Sequence, residues 1–96
     1  MNYLVSYDIA DNKRRKLICD YLIGMGFSRI QKSVFLGEIK KEQYIKMVEN
    51  ISKIIKENLD SIYFVPLNKE EFNSIIVIGV KFNYKIYENL ICFLWN

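Results

Sequence analysis

Asp8 is the residue of this sequence best placed to do chemistry. It closes the apolar run 3–7 within Tyr7-Asp8-Ile9 and is followed closely by the basic run Lys13-Arg14-Arg15-Lys16. Carboxylates hold hard divalent cations, and guanidinium groups grip phosphate oxygens two bonds at a time. An acidic group beside a basic run is therefore where a metal ion and a phosphodiester can meet. A strand-end Asp can equally just start a turn. Asp11, three residues on, reads as a helix cap, with a supporting place behind Asp8 as the alternative.

The chain of 96 residues contains no histidine. That removes His-dependent metal sites, the Ser-His-Asp and Cys-His triads and the commonest general base. Any hydrolysis must then rest on carboxylates and a bound divalent cation. Cys19 and Cys92 form no C-x-x-C pair and no evenly spaced framework. They read as buried or isolated thiols of a reducing compartment, not as a disulfide scaffold or zinc site. The net charge of +3 is mild, so only its clustering bears on nucleic acid. A carboxylate at position 8 interrupts what a signal peptide would need to keep apolar, and the apolar stretches 75–78 and 90–95 are too short to span a bilayer. The expected location is cytoplasmic, without a membrane contact.

These residues need elements to position them. Residues 3–7 are aromatic, aliphatic and β-branched and predict a buried strand. Asp11 or Asn12 then caps a helix whose buried face is Leu17, Ile18, Tyr21, Leu22 and Met25. Gly24 and Gly26 end it, Gly26 in a left-handed cap. The basic run falls in the first turn of that helix, where the helix dipole disfavours cations. Helix stability does not explain those charges. Lys13 and Lys16 read equally well as part of a solvated turn.

Residues 27–39 predict two short strands joined by a turn or bulge near Gln31 and Lys32. Residues 40–58 predict a long amphipathic helix with Tyr44, Val48, Ile51, Ile55 and Leu59 along its inner side, and Met47 and Ile54 beside them. Residues 61–67 predict a further strand, Ile-Tyr-Phe-Val, stopped by Pro66. The order strand, helix, strand, strand, helix, strand gives an α+β, ferredoxin-like βαββαβ fold with both helices on one face of an antiparallel sheet. Two additional C-terminal strands are expected, at 74–80 and 88–95. They extend their own sheet or pair with another copy. The domain reading is one unit over 1–96, with 81–96 a strand segment reaching a partner chain. Such folds host many functions, so the fold alone identifies none.

Tyr7-Asp8-Ile9, the Lys13-Arg14-Arg15 helix start and Arg29-Ile30-Gln31-Lys32-Ser33-Val34-Phe35 together resemble the CRISPR-associated protein 2 family, over essentially the whole chain. Lys32 departs from the Tyr that is frequent there. The resemblance implies a homodimer in which two copies of Asp8 face each other and hold one Mg²⁺ (or Mn²⁺). It implies Arg15, Arg29 and Arg14 as nucleic-acid-binding positions, with Tyr7, Ser33 and Phe35 in support. For Phe35 a place in the core or dimer interface, and for Ser33 a bond to its own turn, stand beside those roles.

The role implied is CRISPR adaptation, the acquisition of new spacers, with the homodimer bridging the integrase and carrying double-stranded DNA. Catalysis is a separate question. The chain reads either as a metal-dependent endonuclease acting on single-stranded RNA or on DNA through Asp8, or as a non-catalytic adaptor. A third reading is a VapD-like toxin ribonuclease outside any CRISPR system, which shares the fold and the strand-end Asp. The apolar tail, suited to docking an integrase subunit, argues against it.

Overall fold

A computed structural model describes residues 1–79. It begins with β1 (Asn2–Asp8), whose burial alternates along the strand: Tyr3, Val5 and Tyr7 are buried, while Asn2, Leu4 and Ser6 are only half so. A period of two turns those sets to opposite faces. α1 (Asn12–Gly24) follows, with Asp11 as its N-cap, its side chain accepting from the backbone N–H of Arg14 at 3.0 Å. Its end is a Schellman turn. Gly26 takes a φ of 91°, its N–H reaches the Ile23 carbonyl at 2.9 Å, and the Phe27 N–H reaches Leu22 at 3.0 Å. The buried face is Ile18, Cys19 and Leu22; Leu17, expected inside, is largely exposed. Cys19 is wholly buried on that face.

β2 (Ser28–Gln31) and β3 (Val34–Glu38) form the expected hairpin, with both a two-residue turn at Lys32 and Ser33 and a bulge between Arg29 and Gln31. α2 (Lys41–Ser52) buries Met47 and Ile51, so Met47 lies at the centre of its inner face rather than beside it. The helix is shorter than the apolar spacing predicts. Beyond it a turn closes on Asp60: the Lys56 N–H donates to the Asp60 carboxylate at 2.9 Å, and the Asp60 N–H returns to the Lys56 carbonyl at 2.7 Å. That turn swings the chain off the helix axis, leaving Leu59 exposed.

β4 (Ser61–Leu67) has the predicted bounds, Pro66 included. Pro66 pairs in register with Tyr3, an arrangement open to proline in an edge strand. The sheet order is β2-β3-β1-β4, with β1 antiparallel to both neighbours, which is the ferredoxin-like arrangement. The core lies between one face of the sheet and the two helices. There Tyr3, Val5, Tyr7, Phe27 and Phe35 meet Ile18, Leu22, Met47 and Ile51.

A short helix not expected from the sequence, α3 (Lys69–Asn73), comes next. Asn68 and Glu71 cap it reciprocally, at 2.8 and 2.9 Å. Residues 75–78, expected to begin a strand, carry no regular structure, and Ile76 and Ile78 are 83% and 95% exposed. A strand needs a neighbour for its backbone groups, and among the described residues this segment pairs with none. The rest of that expected strand, the one at 88–95 and the partner-reaching segment 81–96 lie outside the described residues.

Candidate functional site

Asp8 is the last residue of β1 and pairs in register with Ser61, the first residue of β4. By the alternation of β1 it belongs with Asn2, Leu4 and Ser6 on the face turned away from α1 and α2, which carries no helix of the core among the described residues. It is exposed, and its side chain makes no hydrogen bond or ion pair among the described residues. A carboxylate at a strand end, on an open face, keeps its lone pairs available for an external cation. That face is apolar around it: Leu4 lies between Leu36 and Val65, and Ser6 between Val34 and Tyr63.

The aromatic and basic residues expected beside Asp8 come together on the other face. Tyr7 and Phe35 stack with ring centroids 5.8 Å apart, and the Arg29 guanidinium lies 5.6 Å from the Phe35 centroid. Burial pushes the Tyr7 phenol up from its ordinary pKa, against the pull of the positive charges of Arg29 and Arg15. Arg29 is 2% exposed. Its Nε and Nη2 both donate to the Lys32 carbonyl, the former at 2.9 Å, which fastens the β2–β3 turn. Ser33, in that turn, accepts the Tyr7 N–H through its own carbonyl at 3.1 Å. Arg29, Phe35 and Tyr7 therefore brace the strand end from beneath instead of lining an open surface with Asp8.

The two arginines of the basic run also have internal partners. Arg15 is half-buried and donates from Nη1 to the Ile9 carbonyl at 3.0 Å, while its buried Nε has no hydrogen-bond partner among the described residues. Arg14 grips Asp60 with two bonds, Nε to Oδ2 at 2.8 Å and Nη2 to Oδ1 at 3.0 Å. This explains cations in the first turn of a helix: the guanidinium groups meet a carboxylate and a carbonyl contributed by neighbouring segments, whatever the dipole prefers. Asp11 is engaged as the cap, 3.9 Å from Arg14.

Asp60 is the residue that sequence reasoning passes over. Its side chain is wholly buried and accepts four bonds, from Arg14 twice and from the backbone N–H groups of Ala10 and Lys56. The Arg14 guanidinium, helped by those two N–H groups, holds its carboxyl well below the usual carboxylate range although burial works the other way. Two of its partners lie 46 and 50 residues away, so no local pattern points to it.

Among the described residues no three acidic, cysteine or histidine side chains cluster as a metal site. One chain thus offers a cation a single free carboxylate at this position. A depression of about 530 Å³ opens at the opposite end of β1, lined by Asn2, Glu38, Leu67 and Phe72 among others. No described helix is long and apolar enough to cross a membrane.

The family model described as CRISPR associated protein Cas2 matches residues 1–75. The CRISPR-associated endoribonuclease Cas2 3 of Synechocystis sp. is 34% identical over 77 residues, 80% of this chain and 83% of that one. A protein of the same name from Thermodesulfovibrio yellowstonii is 36% identical over 85 residues, 84% and 91% of the two chains. The crystal structure of Streptococcus pyogenes Cas2 at pH 6.5 superposes with a TM-score of 0.72 at 26% identity, covering 82% of this chain and all of that one. A hypothetical protein from Thermus thermophilus, at 23% identity and a TM-score of 0.71, shares the fold.

Proposed function

The chain belongs to the family of CRISPR-associated protein Cas2, and from that premise we propose that it serves spacer acquisition in the cytoplasm as a homodimer that bridges the integrase and carries double-stranded DNA, with Mg²⁺-dependent cleavage of RNA or DNA at a pair of Asp8 carboxylates. The relatives named above are called endoribonucleases, which supports nuclease chemistry in general. The observation that carries the finer reading is the position of Asp8, exposed and, among the described residues, unpartnered, at the end of an apolar sheet face turned away from α1 and α2. Packing that face against a second copy buries Leu4, Leu36 and Val65 and brings two carboxylates toward each other. Burial of apolar surface is the driving force such an interface needs.

The donor set fits Mg²⁺ or Mn²⁺ on one condition. Mg²⁺ prefers six oxygen ligands and keeps several waters, so two carboxylates from two copies suit it while one from a single chain is a poor site. When bound, such an ion supplies Lewis-acid polarisation of the phosphodiester. The chain's own part is to fix the strand end that presents Asp8, through Arg15 on the Ile9 carbonyl and Arg29 on the β2–β3 turn. Arg15, half-buried, retains some surface for phosphate; Arg14 and Arg29 are assigned to the scaffold.

A second reading, the non-catalytic adaptor, draws support from the same geometry. Two of the three arginines expected at phosphate are turned inward, which leaves little besides Asp8 to act on a scissile bond. The toxin reading gains nothing from the family match and the relatives named above, which are CRISPR-associated. The deciding experiment is cleavage of single-stranded RNA and of duplex DNA with and without Mg²⁺, using Asp8→Asn purified identically. Cleavage requiring both the metal and Asp8 is the expected result. Equal cleavage by the variant, or none by either protein, overturns the hydrolytic reading and leaves the adaptor.

A further inference from the structure

The backbone ladder between β1 and β4 ends at the pair Asp8–Ser61. One step beyond, a side chain takes over. Asp60, immediately before Ser61, accepts the Ala10 N–H through Oδ1 at 3.0 Å, so the segment just after Asp8 stays tied to the segment just before β4. The same carboxylate is pinned from two other directions, by Arg14 of α1 and by the Lys56 N–H in the turn after α2. Each of its oxygens accepts two bonds, and none of the side chain is exposed. From the opposite side the Ile9 carbonyl is held by Arg15. The exposed Asp8 is thus followed by a peptide group, Ile9–Ala10, whose carbonyl and N–H are both fixed by side chains, those of Arg15 and Asp60.

We propose that Asp60 is a positioning residue for Asp8: through Arg14 and the Ala10 N–H it fixes the direction in which the Asp8 carboxylate leaves the sheet. This rests on the reading of Asp8 as the reactive centre. Asp60 meets neither a cation nor a phosphodiester itself, being buried and fully bonded. The arrangement also assigns a purpose to the basic run that differs from binding phosphate. Its two arginines are the clamps of the Asp8 loop, and the proximity of acid and base that the sequence displays is in part an internal ion pair.

The test compares wild type with Asp60→Asn, which keeps the shape and loses the charge, and with Arg14→Gln, which removes the guanidinium while leaving both backbone bonds to Asp60. Asp20→Asn, which breaks the exposed Lys16–Asp20 pair on the same helix, is the control and leaves activity unchanged. Two readouts are taken. In cleavage assays kcat falls about 10- to 100-fold in both latch variants, the scale of effect that a misplaced reacting group produces, while KM for the nucleic acid changes little. In amide hydrogen exchange, Ala10 loses protection at least about 10-fold while Val5 and Leu22 keep theirs, as expected of a local opening. Unchanged kcat and unchanged protection at Ala10 overturn the proposal, as does a loss of protection shared equally by Val5 and Leu22. Should Asp60→Asn not fold, Arg14→Gln decides on the same two readouts. Should wild type not cleave, the hydrolytic reading falls by itself, and the exchange pattern alone decides whether the latch holds the Asp8 segment.

Discussion

Gly37→Ala tests whether the sheet and Phe27 pack as described. Gly37 sits in β3 opposite Tyr3, and a Cβ placed there would lie 2.5, 2.6 and 2.8 Å from Cγ, Cδ1 and Cδ2 of Phe27. Ordinary carbon contacts lie at about 3.5–4.0 Å, so the ring must retreat by roughly 1 Å. The atoms met belong to the root of a ring that is 1% exposed and packed into the core, so it cannot swing away into solvent. Forcing an extra methyl into such a site costs about 1–3 kcal/mol. For a domain of this size each kcal/mol lowers Tm by about 4–8 °C, so a fall of roughly 4–20 °C is expected. The assay is thermal and urea unfolding followed by circular dichroism at one fixed protein concentration, because any dimer makes Tm concentration-dependent. Phe27→Ala, which removes Cγ, Cδ1 and Cδ2 together, supplies the second arm. By itself it destabilises, but combined with Gly37→Ala it vacates the overlap, so the double variant should be less destabilised than the sum by about 1 kcal/mol or more. A Gly37→Ala variant within about 0.5 kcal/mol of wild type, or strictly additive costs, would refute the packing argument.

The remaining predictions concern charge. Asp60 has a folded pKa held down chiefly by Arg14, so its contribution to stability is fully present above its unfolded value of about 3.9 and is lost as pH falls through the folded value. Between about pH 5 and 2 wild type should therefore lose stability more steeply than Asp60→Asn in urea titrations; parallel profiles would contradict the bridge. Arg15→Ala should weaken duplex binding and lower the slope of log K against log salt by up to about one unit. Arg29→Ala, in contrast, should act mainly on stability, because its guanidinium is buried over Phe35 and bonded to the Lys32 carbonyl. A salt slope lowered by Arg29→Ala as much as by Arg15→Ala would return Arg29 to the phosphate surface.

Elements whose causes are local could be read from the chain itself. Alternation in 3–7, the Asp11 cap, the Gly26 turn and the β-rich run 61–67 each rest on neighbours a few residues apart, and each is present in the structure, although Pro66 does not stop the strand. α3 was also legible in principle, since Asn68 and Glu71 make a capping pair at the required spacing. The length of α2 was not. Its apolar spacing continues past Ser52, and what ends it is a turn organised around Asp60. The segment 75–78 shows the converse: a high strand propensity forms no strand where the described chain supplies no neighbour.

For the site, the sequence by itself determined that Asp8 is the carboxylate to consider, that histidine chemistry is absent, and that the motifs belong with one family. These depend on residue types and short spacings, which folding does not alter. Only the tertiary structure decided what the charges do. It put Asp8 on the face turned away from α1 and α2 and Tyr7, Phe35 and Arg29 on the other, because a strand reverses sides at every residue. It also joined Arg14 to Asp60 across 46 residues. A charge seen in sequence has no address until the chain brings up its partner: for Arg14 that was a carboxylate, for Arg15 and Arg29 a backbone carbonyl.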